Sequence, residues 1–378
     1  MKYVDEYREP ALARRLLDEI AACAARTGGT PQRPLQIMEV CGGHTHSIFR
    51  YGLKDLIPRT IEFVHGPGCP VCVLPMGRVD DSLTIARQPH VIFTTFGDAM
   101  RVPGSTGSLL SERAEGADVR MVYSPLDALQ IARDNPDREV VFFALGFETT
   151  MPSTALTVLQ AGRECIDNFS LFCNHITIVP TLKAILDSPG AGIDGFLGPG
   201  HVAMVIGAEP FEFIAARYAR PLVITGFEPT DILEGLLMLL RQIETGTARV
   251  KNQYTRVVNP AGNTPALEAI TRVFELREFF EWRGLGSIDH SGIRLRFDYA
   301  RFDAERRFSV PGAPIADPKS CQCGEVLKGA IKPFECKVFG QACTPQTPLG
   351  ALMVSSEGAC SAYYLFARRD DQVQQVRA

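Results

Sequence analysis

EVVFFALGFETTMPSTALTVLQAGR, residues 139–163, is the stretch from which the fold is read. Val140 to Leu145 is an apolar run of strand length, GFETT (146–150) is a Gly-containing turn, and Pro152 to Gln160 has the spacing of a helix. A strand followed at once by a helix belongs to a parallel sheet, because parallel strands need a crossover, and that crossover buries the sheet face it covers. Residues 90–115 have the same texture, without a strict repeat. Further runs at Leu35 to Val40, Ile61 to His65, Val91 to Phe96, Val119 to Tyr123, Leu171 to His175, Gly195 to Leu197 and Leu222 to Thr225 extend the alternation. Helical patterns lie between several of them, at Arg78 to Arg87, Pro125 to Asp134, Thr181 to Asp187 and Asp231 to Thr245.

The expected architecture is therefore α/β, with two Rossmann-like parallel-sheet lobes. Residues 1–130 form the first, with the loops CGGHTH (41–46) and GPGCPVC (66–72), and residues 131–250 the second, with GFETT and GPGHV (198–202). The remainder, 251–378, changes character. ELREFFEWRGLGSIDHSGIRLRF (275–297) offers a helix, a Gly-rich turn and a strand, with Trp282 as partial core of the helix. A Pro-rich linker, PGAPIADPKS (311–320), leads to a cysteine-rich tail with too few apolar runs to fold without a metal or the lobes.

Composition narrows the function. The 378 residues are too many for one comfortable core, and 46% hydrophobic with 22% charged residues is ordinary for a globular protein. A net charge of −4, with Lys and Arg spread along the chain, gives no basic stripe for nucleic acid. The charged N-terminal stretch lacks the apolar core of a signal peptide, and no run suits a membrane span, so a cytoplasmic setting is expected. There, clustered cysteines serve metals or redox chemistry more often than structural disulfides. This chain has 11 cysteines.

Seven strand-end turns are unusually polar or Gly-rich: CGGHTH, GPGCPVC, TTFGDAM (94–100), GFETT, CNH (173–175), GPGHV and GFEPTD (226–231). Sites in open α/β sheets form outside the carboxyl ends of the strands, so these turns should converge on one cleft. Cys41 opens onto Gly42, Gly43, His44, Thr45 and His46; two imidazoles and a helix start should lower its pKa and make it a nucleophile or soft-metal ligand. His44 and His46 divide as proton donor or ligand and scaffold. Cys69 and Cys72 form a C-x-x-C on a rigid, exposed Gly-Pro loop, which reads as a redox pair, with zinc as the competing reading. The tail spacing C-x-C-x12-C-x6-C-x16-C, from Cys321 to Cys360, lacks the paired C-x2-4-C of a zinc ribbon and suits a four-cysteine iron-sulfur cluster, with one thiol spare. Cys23, Cys165 and Cys173 read as packing residues. Glu148, Asp98, Glu228 and Asp231 read first as helix caps, and no nucleotide-binding fingerprint is present.

The strings CGGHTH, GPGCPVC, GFETT and GPGHV, followed by CGEVLKG (323–329), FGQACTP (339–345) and MVSSEGACSAYY (353–364), resemble the HypD-type hydrogenase maturation factors over almost the whole chain. The resemblance implies a redox-active assembly scaffold, rather than a conventional turnover enzyme, on which the Fe(CN)2CO unit of nickel-iron hydrogenases is built. It implies that Cys41, with His44 beside it, holds a mononuclear iron carrying CN and CO, and that Cys69 and Cys72 are the redox pair. Cys323, Cys336, Cys343 and Cys360 are implied as ligands of a 4Fe-4S cluster in the C-terminal domain, with Cys321 the extra thiol. The implied partners are a HypC-type chaperone, bound by a single copy of this chain as a heterodimer and supplying a second thiolate, and a HypE-type cyanide donor. Two other readings stand beside this one: an iron-sulfur disulfide reductase of the ferredoxin:thioredoxin reductase type, and a zinc-stabilised binding module.

Overall fold

The computed structural model describes residues 5–188, 192–310 and 312–366. Nine strands carry its frame: β1 (Leu35–Glu39), β2 (Ile61–His65), β3 (Val91–Thr95), β4 (Val119–Met121), β5 (Glu139–Gly146), β6 (Phe169–His175), β7 (Gly195–Pro199), β8 (Leu222–Thr225) and β9 (Val250–Asn252). They make two sheets, ordered β2-β1-β7-β8-β9 and β4-β3-β5-β6. Every pairing in both is parallel.

Strand β5 shows why the apolar runs are continuous. Val140, Phe142 and Ala144 pack with Ala155 and Val158 of the helix Met151–Arg163 on one face, while Val141, Phe143 and Leu145 pack with Val79 and Leu83 of the helix Met76–Ala86 on the other. Successive side chains of a strand point to opposite faces, so a strand covered on both sides needs an apolar residue at every position. Burying each large one contributes about 1.5–3 kcal/mol.

The sheets do not divide the chain at residue 130. The chain leaves the first sheet after β2, builds the whole second sheet from β3 to β6, and returns for β7, β8 and β9. Residue 130 lies in the helix Pro125–Asp134, which crosses between two strands of the second sheet. Local periodicity identifies a strand but not the sheet it joins, and two consecutive lobes were the wrong arrangement for that reason.

A second correction falls on residues 275–297. Instead of a helix and one strand there are four short strands, β10 (Phe274–Leu276), β11 (Phe279–Trp282), β12 (Gly286–Asp289) and β13 (Ile293–Leu295), paired antiparallel as β10 with β13 and β11 with β12. Phe280 and Trp282 alternate inward, and Gly284 and Gly286 take positive φ at the turn. Trp282 is fully buried, and its indole N–H donates to Ser291 Oγ at 2.8 Å.

The linker and tail wrap the lobes. An added Cβ on Gly77 would stand 2.0 Å from the Ala313 carbonyl oxygen, so the linker lies directly on the helix Met76–Ala86. Arg283 pairs with Asp317 at 2.5 Å. The helix Ala359–Phe366 packs on the helix Gly42–Arg50 through Tyr363 and Phe49, ring centroids 4.6 Å apart. Cys23 and Cys173 are buried as expected, whereas Cys165 is exposed at a positive φ after the helix Met151–Arg163. Among the described residues no helix is long and apolar enough to cross a membrane.

Candidate functional site

The carboxyl ends of both sheets open onto one cleft of about 520 Å³. Cys41, Cys69 and His201 enter it from the ends of β1, β2 and β7; Asp98, Phe147 and Thr149 enter from the ends of β3 and β5. Glu357 of the tail closes one side, and Met121, the last residue of β4, and Tyr123 just beyond it form a rim. Five of the seven turns singled out in the sequence therefore line it. The CNH turn does not: His175 is buried, with Nε2 3.0 Å from Thr154 Oγ1. The GFEPTD turn stands behind the lining, where Phe227 stacks on His201.

Cys41 caps the helix Gly42–Arg50 with extended backbone. Its turn touches that of the C-x-x-C: an added Cβ on Gly68 would lie 2.5 Å from Cys41 N, and Gly42 N–H donates to Gly68 O at 3.0 Å. Only glycine permits that approach. The Cys41 sulfur lies 3.5 Å from His201 Nδ1. Its pKa is raised, not lowered: burial is the largest cause, the nearby Glu357 and Glu39 carboxylates add to it, and the Gly43 N–H at the helix start opposes it. The expected thiolate is thus a thiol, and binding a cation in place of its proton relieves both penalties.

His44 is brought near Cys41 in sequence but not in function of its ring. Its Nε2 lies 2.8 Å from Thr225 Oγ1 and 3.0 Å from Gly226 O at the end of β8. It is fully buried, burial lowers its pKa, and it does not line the cleft. His46 is turned toward Phe366, ring centroids 5.8 Å apart. The imidazole beside the thiol is His201, whose pKa burial lowers to about 4, so it is neutral at pH 7.

Sequence reading missed Glu39. Fully buried at the end of β1, its carboxylate accepts the Cys41 N–H at 3.2 Å, His65 Nδ1–H at 2.7 Å and the Thr45 hydroxyl. It ties the Cys41 turn to the strand that leads into the C-x-x-C. The signal was an acidic residue inside an otherwise apolar strand, a pattern that needs buried partners. The Glu357 carboxyl lies against Gly42, where an added Cβ would come within 2.6 Å of Oε2.

Cys69 and Cys72 place their sulfurs 2.6 Å apart as free thiols. Both are buried, so the exposed loop expected from the Gly-Pro frame is covered; the tail passes over it, and an added Cβ on Gly358 would lie 2.9 Å from Cys72 Sγ. Burial is the first cause holding the Cys72 thiol well above its ordinary value, followed by Cys69.

In the tail the Cys321 and Cys323 sulfurs are 3.2 Å apart, and an added Cβ on Gly350 would stand 2.4 and 2.5 Å from them. Cys343 Sγ accepts the Leu349 N–H at 3.4 Å, and Cys323, Cys343 and Cys360 share one buried cluster with Cys69 and Cys72. The Cys336 segment is brought to the C-x-C turn by the Lys337 N–H, which donates to Gln322 Oε1 at 3.2 Å. Among the described residues, no three His, Cys, Asp or Glu side chains surround a point closely enough to hold a metal ion. In donor type, the all-thiol set in a mostly apolar surround fits an iron-sulfur cluster.

Comparison with protein families matches residues 11–367 to the model HypD, described as "Hydrogenase formation hypA family". The chain is 60% identical over 370 residues to "Hydrogenase maturation factor HypD" of Rhodobacter capsulatus, covering 97% of this chain and 98% of that protein. It is 55% identical over 372 residues to the protein of the same name from Escherichia coli (strain K12), covering 98% and 100%, and 52% identical over 382 residues to that of Azotobacter vinelandii, covering 100% of both.

Proposed function

The chain belongs to the HypD family, and from that premise we propose that it matures nickel-iron hydrogenases by holding the iron on which the Fe(CN)2CO unit is assembled. The observation that carries the reading is the cleft shared by both sheets, into which the first sheet delivers Cys41, Cys69 and His201 together. Cys41 is the anchoring thiolate for the iron, which is cargo; a HypC-type partner supplies a second thiolate at the cleft mouth. A HypE-type partner brings cyanide as a thiocyanate. The work is done in the cytoplasm.

Release of that cyanide balances as RSCN + 2e⁻ → RS⁻ + CN⁻. Cys69 and Cys72 supply the pair of electrons by closing to a disulfide, losing two protons. Their sulfurs already sit in contact, and Cys69 shares the cleft with Cys41. Glu39 fixes the Cys41 backbone, and Glu357 keeps a carboxyl beside the site for the proton the thiol surrenders. Cys323, Cys336, Cys343 and Cys360 are the ligands we assign to a 4Fe-4S cluster, with Cys321 adjoining Cys323. When bound, such a cluster supplies one-electron transfer to a neighbouring thiol pair. His44 serves as scaffold to the end of β8.

Anaerobic purification with the small partner, followed by infrared spectroscopy, tests the reading. Metal-bound C≡N and C≡O absorptions are expected from the wild-type complex and none from Cys41→Ala. Their absence from the wild type, or persistence in Cys41→Ala, would overturn it.

A further inference from the structure

The geometry points to Phe227 as a positioning residue: its ring holds the His201 imidazole against the Cys41 sulfur. The inference rests on the iron-anchoring role proposed for Cys41. Phe227 stacks on His201 with ring centroids 3.7 Å apart and planes 20° from parallel, and on His44 at 4.7 Å and 24°. Two glycines make room for it. An added Cβ on Gly43 would come within 2.8 Å of Phe227 Cδ1, and one on Gly200 within 3.2 Å of Cε2. These are the glycines of the Cys41 and His201 turns, so the ring sits where the two turns meet.

The turn that carries Phe227 is itself pinned from several sides. Gly226 O lies 3.0 Å from His44 Nε2; Asp231 receives the Glu228 N–H at 3.3 Å and pairs with Arg256 at 2.5 Å. Arg8 pairs with Glu228 at 2.5 Å, and the Thr230 hydroxyl donates to Tyr7 O at 2.8 Å. Tyr254 meets the Phe227 ring edge-on at 6.1 Å. A ring serving only as filler needs no such frame, and Phe227 is only half-buried.

Stacking fixes the plane of the imidazole, and in that plane Nδ1 lies 3.5 Å from the Cys41 sulfur. In the unloaded protein the thiol S–H donates to Nδ1, which leaves the proton on Nε2. Once iron is bound to the thiolate, an Nδ1–H donates to sulfur instead. That bond draws electron density from the thiolate and weakens back-donation from iron into the diatomic ligands, which raises their stretching wavenumbers.

The test uses Phe227→Leu, Phe227→Met and Phe227→Tyr in the full chain, with His201→Gln to assign resonances and bands. Nitrogen NMR of labelled histidine in unloaded protein should show a single His201 tautomer in wild type and Phe227→Tyr, and averaged ring-nitrogen shifts in the Leu and Met variants. Infrared spectra of the loaded complex should move to lower wavenumber in the Leu and Met variants, in the direction set by His201→Gln, and return in Phe227→Tyr. If the Leu and Met variants keep both the tautomer and the band positions of wild type, Phe227 does not position His201. A wild type without diatomic bands would count against the iron-holding role, while the NMR arm would still decide the stacking role.

Discussion

Glu148 shows what a single residue of the GFETT turn does. The expected cap is on the helix after its own turn, Met151–Arg163; instead its Oε1 accepts the Ile178 N–H at 3.1 Å at the start of another helix, Ile178–Asp187. Burial without a cation raises its pKa from 4.5 to about 7. Between those values the native state holds a proton that the unfolded chain has released, so this contribution is fully present at low pH and is lost as pH rises. Its span corresponds to a loss on the order of 3 kcal/mol. The stability difference between wild type and Glu148→Gln, measured by urea unfolding, should therefore fall as pH is raised from 4.5 to 7. His175 acts oppositely: burial lowers it from 6.5 to about 4, so its contribution is present above 6.5 and lost as pH falls. The stability difference between wild type and His175→Gln should therefore fall as the solution is acidified through this range. At the same scale, Cys41, Cys69 and Cys72 were legible as a constellation, but the imidazole was not. Adjacency in CGGHTH suggested His44; a helix beginning at Gly42 turns that ring to β8, and the ring near sulfur comes from His201.

Among the elements, the buried parallel strands were the most legible because each is a bounded apolar run; β2 and β8 begin and end where the sequence placed them. The failure at 275–297 came from charged residues spaced through aromatic ones, a pattern that satisfies a helix face and a strand alternation equally until the inward set, Phe280 and Trp282, is known. The hairpin formed there also sets the tail. Gly284, at φ +76, brings the β11–β12 turn onto the next cysteine segment, where an added Cβ would meet Gly324 Cα at 2.7 Å. Gly284→Ala should cost about 1–3 kcal/mol from backbone strain alone and displace the C-x-C turn. Thermal unfolding reads the first effect, and iron and acid-labile sulfide content of the anaerobically purified protein reads the second, expected below wild type.

At the scale of the molecule, fold class was legible and sheet membership was not, because a crossover helix looks the same whichever sheet receives the next strand. Residues 1–130 contain β1 and β2 of one sheet with β3 and β4 of the other. Neither pair has its central neighbours, β7 or β5, so the fragment 1–130 should show the narrow amide dispersion of an unfolded chain in proton–nitrogen NMR. A dispersed spectrum would refute this account of the partition. The tail's dependence on the lobes follows from the same packing, since Tyr363 and Phe49 share a small core between two helices.

The return of the chain to its first sheet also orders events on the ribosome. β7 begins about 130 residues after β2 ends, and at roughly 5–20 residues per second the nascent thiols of Cys41, Cys69 and Cys72 wait several seconds before His201 and Phe227 exist to meet them. A half-translated polypeptide therefore cannot capture iron in the finished geometry; that competence arrives only late in synthesis.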